Sequence, residues 1–252
     1  MKTEWDYTRL ASSYLLRPQY STELVNAIFS ISTSEPGGKS ADIGAGVGHL
    51  TKHHLRAGLE VTAVEPNDEM RRLGIQETES KCIWLEGTGE VTKIGSKSVQ
   101  LVTFGSSFNV CNQTLALHES HRILKEKGWF ACLWNHRDLT DPIQASIESI
   151  IQAHIPEYEY GSRREDQSKI IIESGLFNNP VFLQSSVVHE QSLKDCVIAW
   201  RSHATLQRQA GGKFEEIIND IETYLHGDTC PTDNHNMIKV PYQTVCWVAQ
   251  AI

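Results

Sequence analysis

The sequence predicts an α/β fold, a parallel sheet wound with helices on both faces. From Ser40 to Trp134 short, nearly continuous apolar runs alternate with helix-period stretches. Strands of that kind belong in a sheet covered on both sides. In the first such unit, Asp42-Ile43-Gly44-Ala45-Gly46-Val47-Gly48 sets three glycines at every second position between a strand and a helix. A turn of this kind bends sharply and lets a ligand lie against bare backbone. The free N–H groups and positive dipole end of the next helix stand beside it. A third observation sets the scale: 252 residues, 40% hydrophobic and 21% charged, suit one domain over 1–252 with a sizeable core.

Each element follows from local pattern. Leu10, Ala11 and Tyr14 sit at helical spacing and Pro18 stops that helix. A second amphipathic helix covers 22–33 with Thr22 as its cap, and Ser34–Gly38 is a loop. Strand one is 40–44; helix 48–57 stops at Gly58. Strand two is Glu60–Glu65, and Asn67 caps a helix with Asp68 and Glu69 in its first turn. Strand three is Lys81–Glu86, strand four Val99–Phe104. A helix from about Asn112 to Glu126 ends at Gly128, and Trp129–Trp134 is strand five. Asp141-Pro142 starts a helix striped by Ile143, Ile147, Ile150 and Ile151. A short helix follows around Ile170–Ile172, then strand six, Val181–His189. Ser192 and Asp195 form a capping box before Cys196, Val197 and Trp200. A helix carries Phe214, Ile217, Ile221 and Leu225, and Thr244–Ala249 is the last strand.

Composition narrows the function classes. No apolar run approaches the ~20 residues of a membrane span, and Met1–Asp6 lacks the apolar core of a signal peptide. The formal charge of −8 argues against nucleic acid or an anionic membrane as partner. Six scattered cysteines without a Cys-x-x-Cys pair read as reduced thiols of a cytoplasmic protein. His118 and His121 share a helix face without a third ligand and His53-His54 reads as surface, so no metal is expected.

Two further features define the ligand of the turn. Glu65 ends strand two, where a carboxylate can accept both hydroxyls of a ribose. Gly87-Thr88-Gly89-Glu90 ends strand three, with an acid and open backbone for an adenine edge. A dinucleotide fingerprint would read G-x-G-x-x-G, whereas this turn reads G-x-G-x-G. Together, D-x-G-x-G-x-G, the acid in Val64-Glu65-Pro66-Asn67 and Gly-Thr-Gly-Glu resemble the cofactor elements of class I S-adenosylmethionine (SAM) dependent methyltransferases. The small-molecule, type 11-like branch is the most similar. The resemblance runs from Tyr7 to Pro142 and includes Tyr14-x-x-Arg17-Pro18-x-Tyr20, Leu124–Phe130 and Leu133–Asp138. Gln100 stands where that branch has an acid, and Lys127 where it has proline.

The resemblance implies a Rossmann-like sheet of seven strands, the last antiparallel. It implies lid helices within 1–33 and a substrate cover at 142–176 and 190–226. It implies S-adenosyl-L-methionine as cofactor, held by Asp42, Gly44, Ala45, Gly46, Glu65, Pro66, Met70, Gly89, Glu90 and Ser106. On the acceptor side it leaves Tyr7, Tyr14 and His136 as candidates for positioning or proton transfer. Each has a plainer reading, since tyrosines pack on sheet edges and Met70 and Glu90 also suit core and cap. His203 reads as core or surface rather than as a pocket residue. The expected activity is methyl transfer to an N or O nucleophile of a small metabolite or natural product. Tyr158, Tyr160 and Trp200 in the cover suit a partly apolar acceptor. Rival readings are an NAD(P)-dependent oxidoreductase and a non-catalytic SAM-binding protein. Oligomeric state stays open, a homo-oligomer included.

Overall fold

The computed structural model describes residues 8–233 and 236–252. A 3-10 turn leads into helix α1 (Ala11–Tyr14), and α2 (Thr22–Ile31) follows. Ser21, not Thr22, caps α2, its side chain accepting from the Leu24 N–H. Then come β1 (Lys39–Ile43), α3 (His49–Arg56), β2 (Glu60–Val64), α4 (Asp68–Glu77), β3 (Ile83–Leu85) and β4 (Val99–Gly105). The chain continues through α5 (Gln113–Ile123), β5 (Leu124–Arg137), α6 (Pro142–His154), α7 (Ser168–Glu173) and β6 (Val181–Ser192). It closes with α8 (Leu193–Arg201), α9 (Ala204–Ala210), α10 (Phe214–His226) and β7 (Met237–Gln250).

The strands form one seven-stranded sheet in the order β3-β2-β1-β4-β5-β7-β6. All pairings from β3 to β5 are parallel, and β7 runs antiparallel to both neighbours. The strand order reverses between β1 and β4, and crevices at such points hold ligands beyond the carboxyl ends of the strands. Alternate residues feed two cores. Phe104, Phe130, Trp134 and Trp247 pack with α5 on one face. Leu101, Leu133 and Val248 pack with α2 on the other. A separate cluster joins α6, α8, α9 and α10 to the start of β7 through Ile147, Trp200, Leu206, Ile221 and Val240. No helix among the described residues is long and apolar enough to cross a membrane.

Four expectations need correction. First, α5 stops at Ile123 rather than near Glu126, because the Lys97 and Ser98 N–H groups take the carbonyls of Arg122 and Ile123. Leu124 then pairs with Val99, and an irregularity that includes Lys127 at φ 56° shifts the register so that Trp129 pairs with Leu101 in the same parallel ladder. Second, β5 and β7 are much longer than expected. Their ladder reaches Arg137 opposite Tyr242, so His136 lies inside the strand, paired with Gln243. Pro241 does not break β7; it sits opposite Val188 and its carbonyl accepts from the Asp138 N–H and Gln144 Nε2. Third, α9 is additional, capped by the His203 ring, whose Nδ1 accepts from the Leu206 N–H. Fourth, His53 and His54 are buried rather than surface residues.

Candidate active site

The glycine turn leaves the carboxyl end of β1 and enters α3. Beneath it lies a buried polar chain. Asp42 accepts from Thr51 Oγ1 at 2.6 Å and from Thr103 Oγ1 at 3.2 Å. His54 Nε2 is 3.1 Å from Thr103 Oγ1 and its Nδ1 is 2.8 Å from Ser40 Oγ. One proton order satisfies every member: Ser40 donates to Nδ1, Nε2–H to Thr103, and both threonines to the carboxylate. Burial supports this order by pushing the His54 pKa down to about 3, so the ring stays neutral. Burial also lifts Asp42 to about 6 against the pull of its two threonines. Asp42 is therefore a strut that fixes the turn from below.

Gly44 and Gly46 both hold positive φ, 66° and 57°. A Cβ on Gly44 would stand 2.4 Å from the Ser107 Cβ, so the segment after β4 packs directly on the turn. A Cβ on Gly46 would meet nothing within 4 Å, because that side is open. Glu65 closes the turn from β2. Its Oε2 accepts from the Gly46 N–H and its Oε1 from the Asn67 N–H, each at 2.9 Å. Its pKa is raised, chiefly by burial, with the two backbone donors opposing. Ser106 sits at φ 57°, a left-handed position rare outside glycine, with Oγ 3.0 Å from the Tyr20 hydroxyl.

These groups line a cavity of about 970 Å³. Pockets typically span ~300–1,000 Å³, so this one has room for more than one small molecule. Asp42, Gly44, Ala45, Gly46, Glu65, Pro66, Met70, Gly89, Glu90 and Ser106 all border it, as do Tyr14 and His136. Tyr7 lies outside the described residues. Besides Asp42, Glu65 and Ser106, two more of these residues have structural work: Met70 packs with Ala11 and Val47, and Glu90 Oε1 accepts from the Asn112 N–H at the start of α5.

The far wall comes from the end of β5, the loop after α6, and α8–α9. Asn135, His136, Arg137, Tyr160, Arg163, Arg164, Trp200, His203 and Arg208 border it. His136 Nε2 donates to the Arg163 carbonyl at 2.9 Å, which leaves Nδ1 without a proton. Burial lowers the His136 pKa to about 4, with Arg164 and Arg163 adding to the effect. His203 stacks on Trp200, ring centroids 5.2 Å apart. His203 is buried, as the core reading expects, and it also borders the cavity. Burial holds it neutral, helped by Arg17, Arg163 and Arg137. Arg17 lies over the Tyr14 ring at 4.8 Å and donates to the Ser202 carbonyl. Arg17 and Arg137 fall within segments of the resemblance, but sequence pattern singled out neither these nor Arg163, Arg164 and Arg208 as site residues, and only the fold brings them together. Among the described residues no three His, Cys, Asp or Glu side chains converge to hold a metal.

Residues 41–132 match the family described as methyltransferase domain. This segment, which runs from β1 into β5 and holds the glycine turn, Glu65 and Gly89, is similar to the class I SAM-dependent methyltransferases in sequence and in its place in the sheet. Over 122 residues it is 29% identical to an uncharacterized methyltransferase of Mycobacterium tuberculosis, covering 48% of each chain. Over 102 residues it is 32% identical to the ubiquinone/menaquinone biosynthesis C-methyltransferase UbiE of Rubrivivax gelatinosus, covering 39% of this chain and 40% of that one. The chain thus spans about half the length, or less, of these curated relatives. In fold it resembles a protein of Anaeromyxobacter dehalogenans that carries a type II methyltransferase designation. That likeness has a TM-score of 0.68 at 14% identity, over 93% of this chain and 97% of the other.

Proposed function

We propose that the protein binds SAM along the β1–β2–β4 edge and transfers its methyl group to an N or O nucleophile of a small molecule held under the cover helices. The observation that carries this reading is a single cavity running from the glycine turn to the far wall. The open side of Gly46 gives a ligand the space a Cβ would fill, and the Glu65 carboxylate borders the same cavity.

When bound, SAM supplies an electrophilic methyl group on a sulfonium. The chain's own work is to bind, orient and exclude water. Glu65 accepts from the ribose hydroxyls while bracing the turn with its remaining lone pairs. Gly44, Ala45 and Gly46 present backbone to the methionine end. Pro66 and Met70 give the adenine an apolar face, and Gly89 with Glu90 reads its edge. Ser106 holds the segment after β4 against the ligand. Asp42 fixes the turn and, with Glu65 and Glu90, makes this part of the cavity acidic, which suits a cationic cofactor. Arg17 holds the methionine carboxylate, with Tyr14 beneath its guanidinium. Helices within 1–33, 142–176 and 190–226 act as lid and cover. His136 positions the acceptor rather than deprotonating it: a ring with a pKa of about 4 is a weak base at neutral pH.

The testing experiment is SAH (S-adenosylhomocysteine) release from SAM in the presence of small amines, alcohols, phenols and carboxylic acids. Acceptor-dependent release supports the reading. SAH binding with no release across the panel favours a non-catalytic SAM-binding protein. A product methylated on carbon would remove the N or O assignment and leave the rest.

A further inference from the structure

Three arginines surround one tyrosine at the far wall. The guanidinium carbons of Arg137, Arg163 and Arg164 lie 5.8, 5.6 and 3.8 Å from the centre of the Tyr160 ring. Arg137 also lies 5.0 Å from the Trp200 ring centre. All five residues border the cavity. The only carboxylate paired with this group among the described residues is Glu148, which takes Arg137 Nη2. Arg163 and Arg164 pair with no acid there; Arg164 has a 3.5 Å contact with the Arg137 carbonyl. Three positive groups thus face one negative group, in a protein whose formal charge is −8.

Such clustering costs stability unless something negative joins it. Two further details point the same way. The Arg137 side chain is 8% exposed, yet its Nη1 is buried without an acceptor. Buried donors are almost always paired, so a missing partner calls for explanation. Next to Tyr160, with ring centroids 5.4 Å apart, the buried Tyr158 hydroxyl also lacks a partner. Arg164 lies against the face of the Tyr160 ring, and Arg137 Nη2 is used by Glu148 and the Tyr160 hydroxyl, which leaves Arg137 Nη1 and the Arg163 guanidinium as donors for a planar fork such as guanidinium makes with oxyanions. Burial and mutual repulsion lower the Arg163 and Arg164 pKa values, and an incoming anion would relieve both effects. The acids on the cavity wall, Asp42, Glu65 and Glu90, belong to the glycine turn and the ends of β2 and β3, so charge is divided between the two regions.

We propose that Arg137, Arg163 and Arg164 form an oxyanion-binding subsite, so that the acceptor is a small molecule bearing a carboxylate or a phosphate. The subsite rests on the methyl-transfer reading only in making its ligand the methyl acceptor. The cluster itself is independent of that reading.

The test is calorimetric titration of the protein, free and saturated with SAH, with citrate, benzoate, phenyl phosphate and benzamide at low salt. At least one of the anions should bind ten times tighter than neutral benzamide and weaken with salt. The benzoate and phenyl phosphate arms distinguish carboxylate from phosphate. Arg163→Gln and Arg164→Gln, each checked for a cooperative melt, should weaken the anion tenfold or more and leave SAH affinity within twofold. Equal binding of benzamide and benzoate, or no anion binding, overturns the subsite. So does a loss confined to SAH, which would assign these arginines to the cofactor. Failure of SAH to bind at all, with anion binding intact, defeats the methyl-transfer reading and leaves the subsite standing.

Discussion

Replacing Glu65 by glutamine separates the bracing role of that residue from its ligand role. Both carboxylate oxygens are already in use, one on the Gly46 N–H and one on the Asn67 N–H. Glutamine keeps one acceptor and turns the other into a donor, which then faces a backbone N–H. An unsatisfied N–H costs about 1–3 kcal/mol, and in a chain of this size each kcal/mol lowers Tm by roughly 2–4 °C. On the ligand side, one ribose hydroxyl loses a charged acceptor, worth about 1.5–3 kcal/mol. At ~1.4 kcal/mol per tenfold, SAH affinity should fall roughly ten- to a hundred-fold. The parent also carries a pH signature that the variant should lose. Ribose hydroxyls donate to the ionised carboxylate, so parent affinity should fall as pH drops through the raised Glu65 pKa. Calorimetry with SAH from pH 5 to 8, beside a thermal melt, reads both effects. A folded variant that binds SAH within threefold of the parent would refute the ribose assignment.

The two glycines should part company. Gly44→Ala drives a Cβ into Ser107 and should lower Tm sharply, whereas Gly46→Ala carries only the left-handed penalty of about 1–2 kcal/mol. The Gly46 variant should nevertheless lose tenfold or more in SAH affinity; parental affinity would mean the ligand does not touch the turn. SAM binding near pH 6 should release protons, because a cationic ligand lowers the pKa of Asp42 from about 6. Binding heats should then vary with buffer at pH 6 and not at pH 8, and proton uptake at pH 6 would contradict the argument. Away from the site, burial alone would raise the Glu119 pKa, but Arg122 and Thr92 bring it down to about 2. A depressed carboxyl stabilises above its unfolded pKa and loses that as pH falls. Glu119→Gln should therefore cost about 1–3 kcal/mol at pH 7, in denaturant melts whose gap to the parent closes toward pH 2. A gap as large at pH 2 as at pH 7 would assign the loss to packing.

That the residues proposed for the cofactor share one cavity wall was legible because they are local. The glycine turn, Glu65 and Gly89 each sit where a strand ends, and strand ends follow from apolar runs. On the far wall, His136, Tyr160 and Trp200 were legible and the arginines beside them were not. Arg137 lies in a strand that pattern ended at Trp134, since only pairing with β7 extends it. Arg163 and Arg164 end a single 3-10 turn, Ser162–Arg164, too short to show periodicity, and reach Tyr160 only because the fold turns there. His54 misled for a related reason. Beside His53 and Arg56 it reads as a polar helix face, and its burial depends on how α3 packs on Ser40 of β1 and on Thr103 of β4, a strand distant in sequence. The α5–β5 boundary failed because Leu124-Lys125-Glu126 suits a helix as well as a strand, and the carbonyl competition from Lys97 and Ser98 decides it.

The central claim is that the G-x-G-x-G turn and Glu65 select SAM over a dinucleotide. Titrating the same protein with SAH and with NADH at pH 7.5 tests this most directly. The account predicts one SAH site per chain and no NADH heat at the same concentrations. Saturable NADH binding, with no SAH binding, would contradict it.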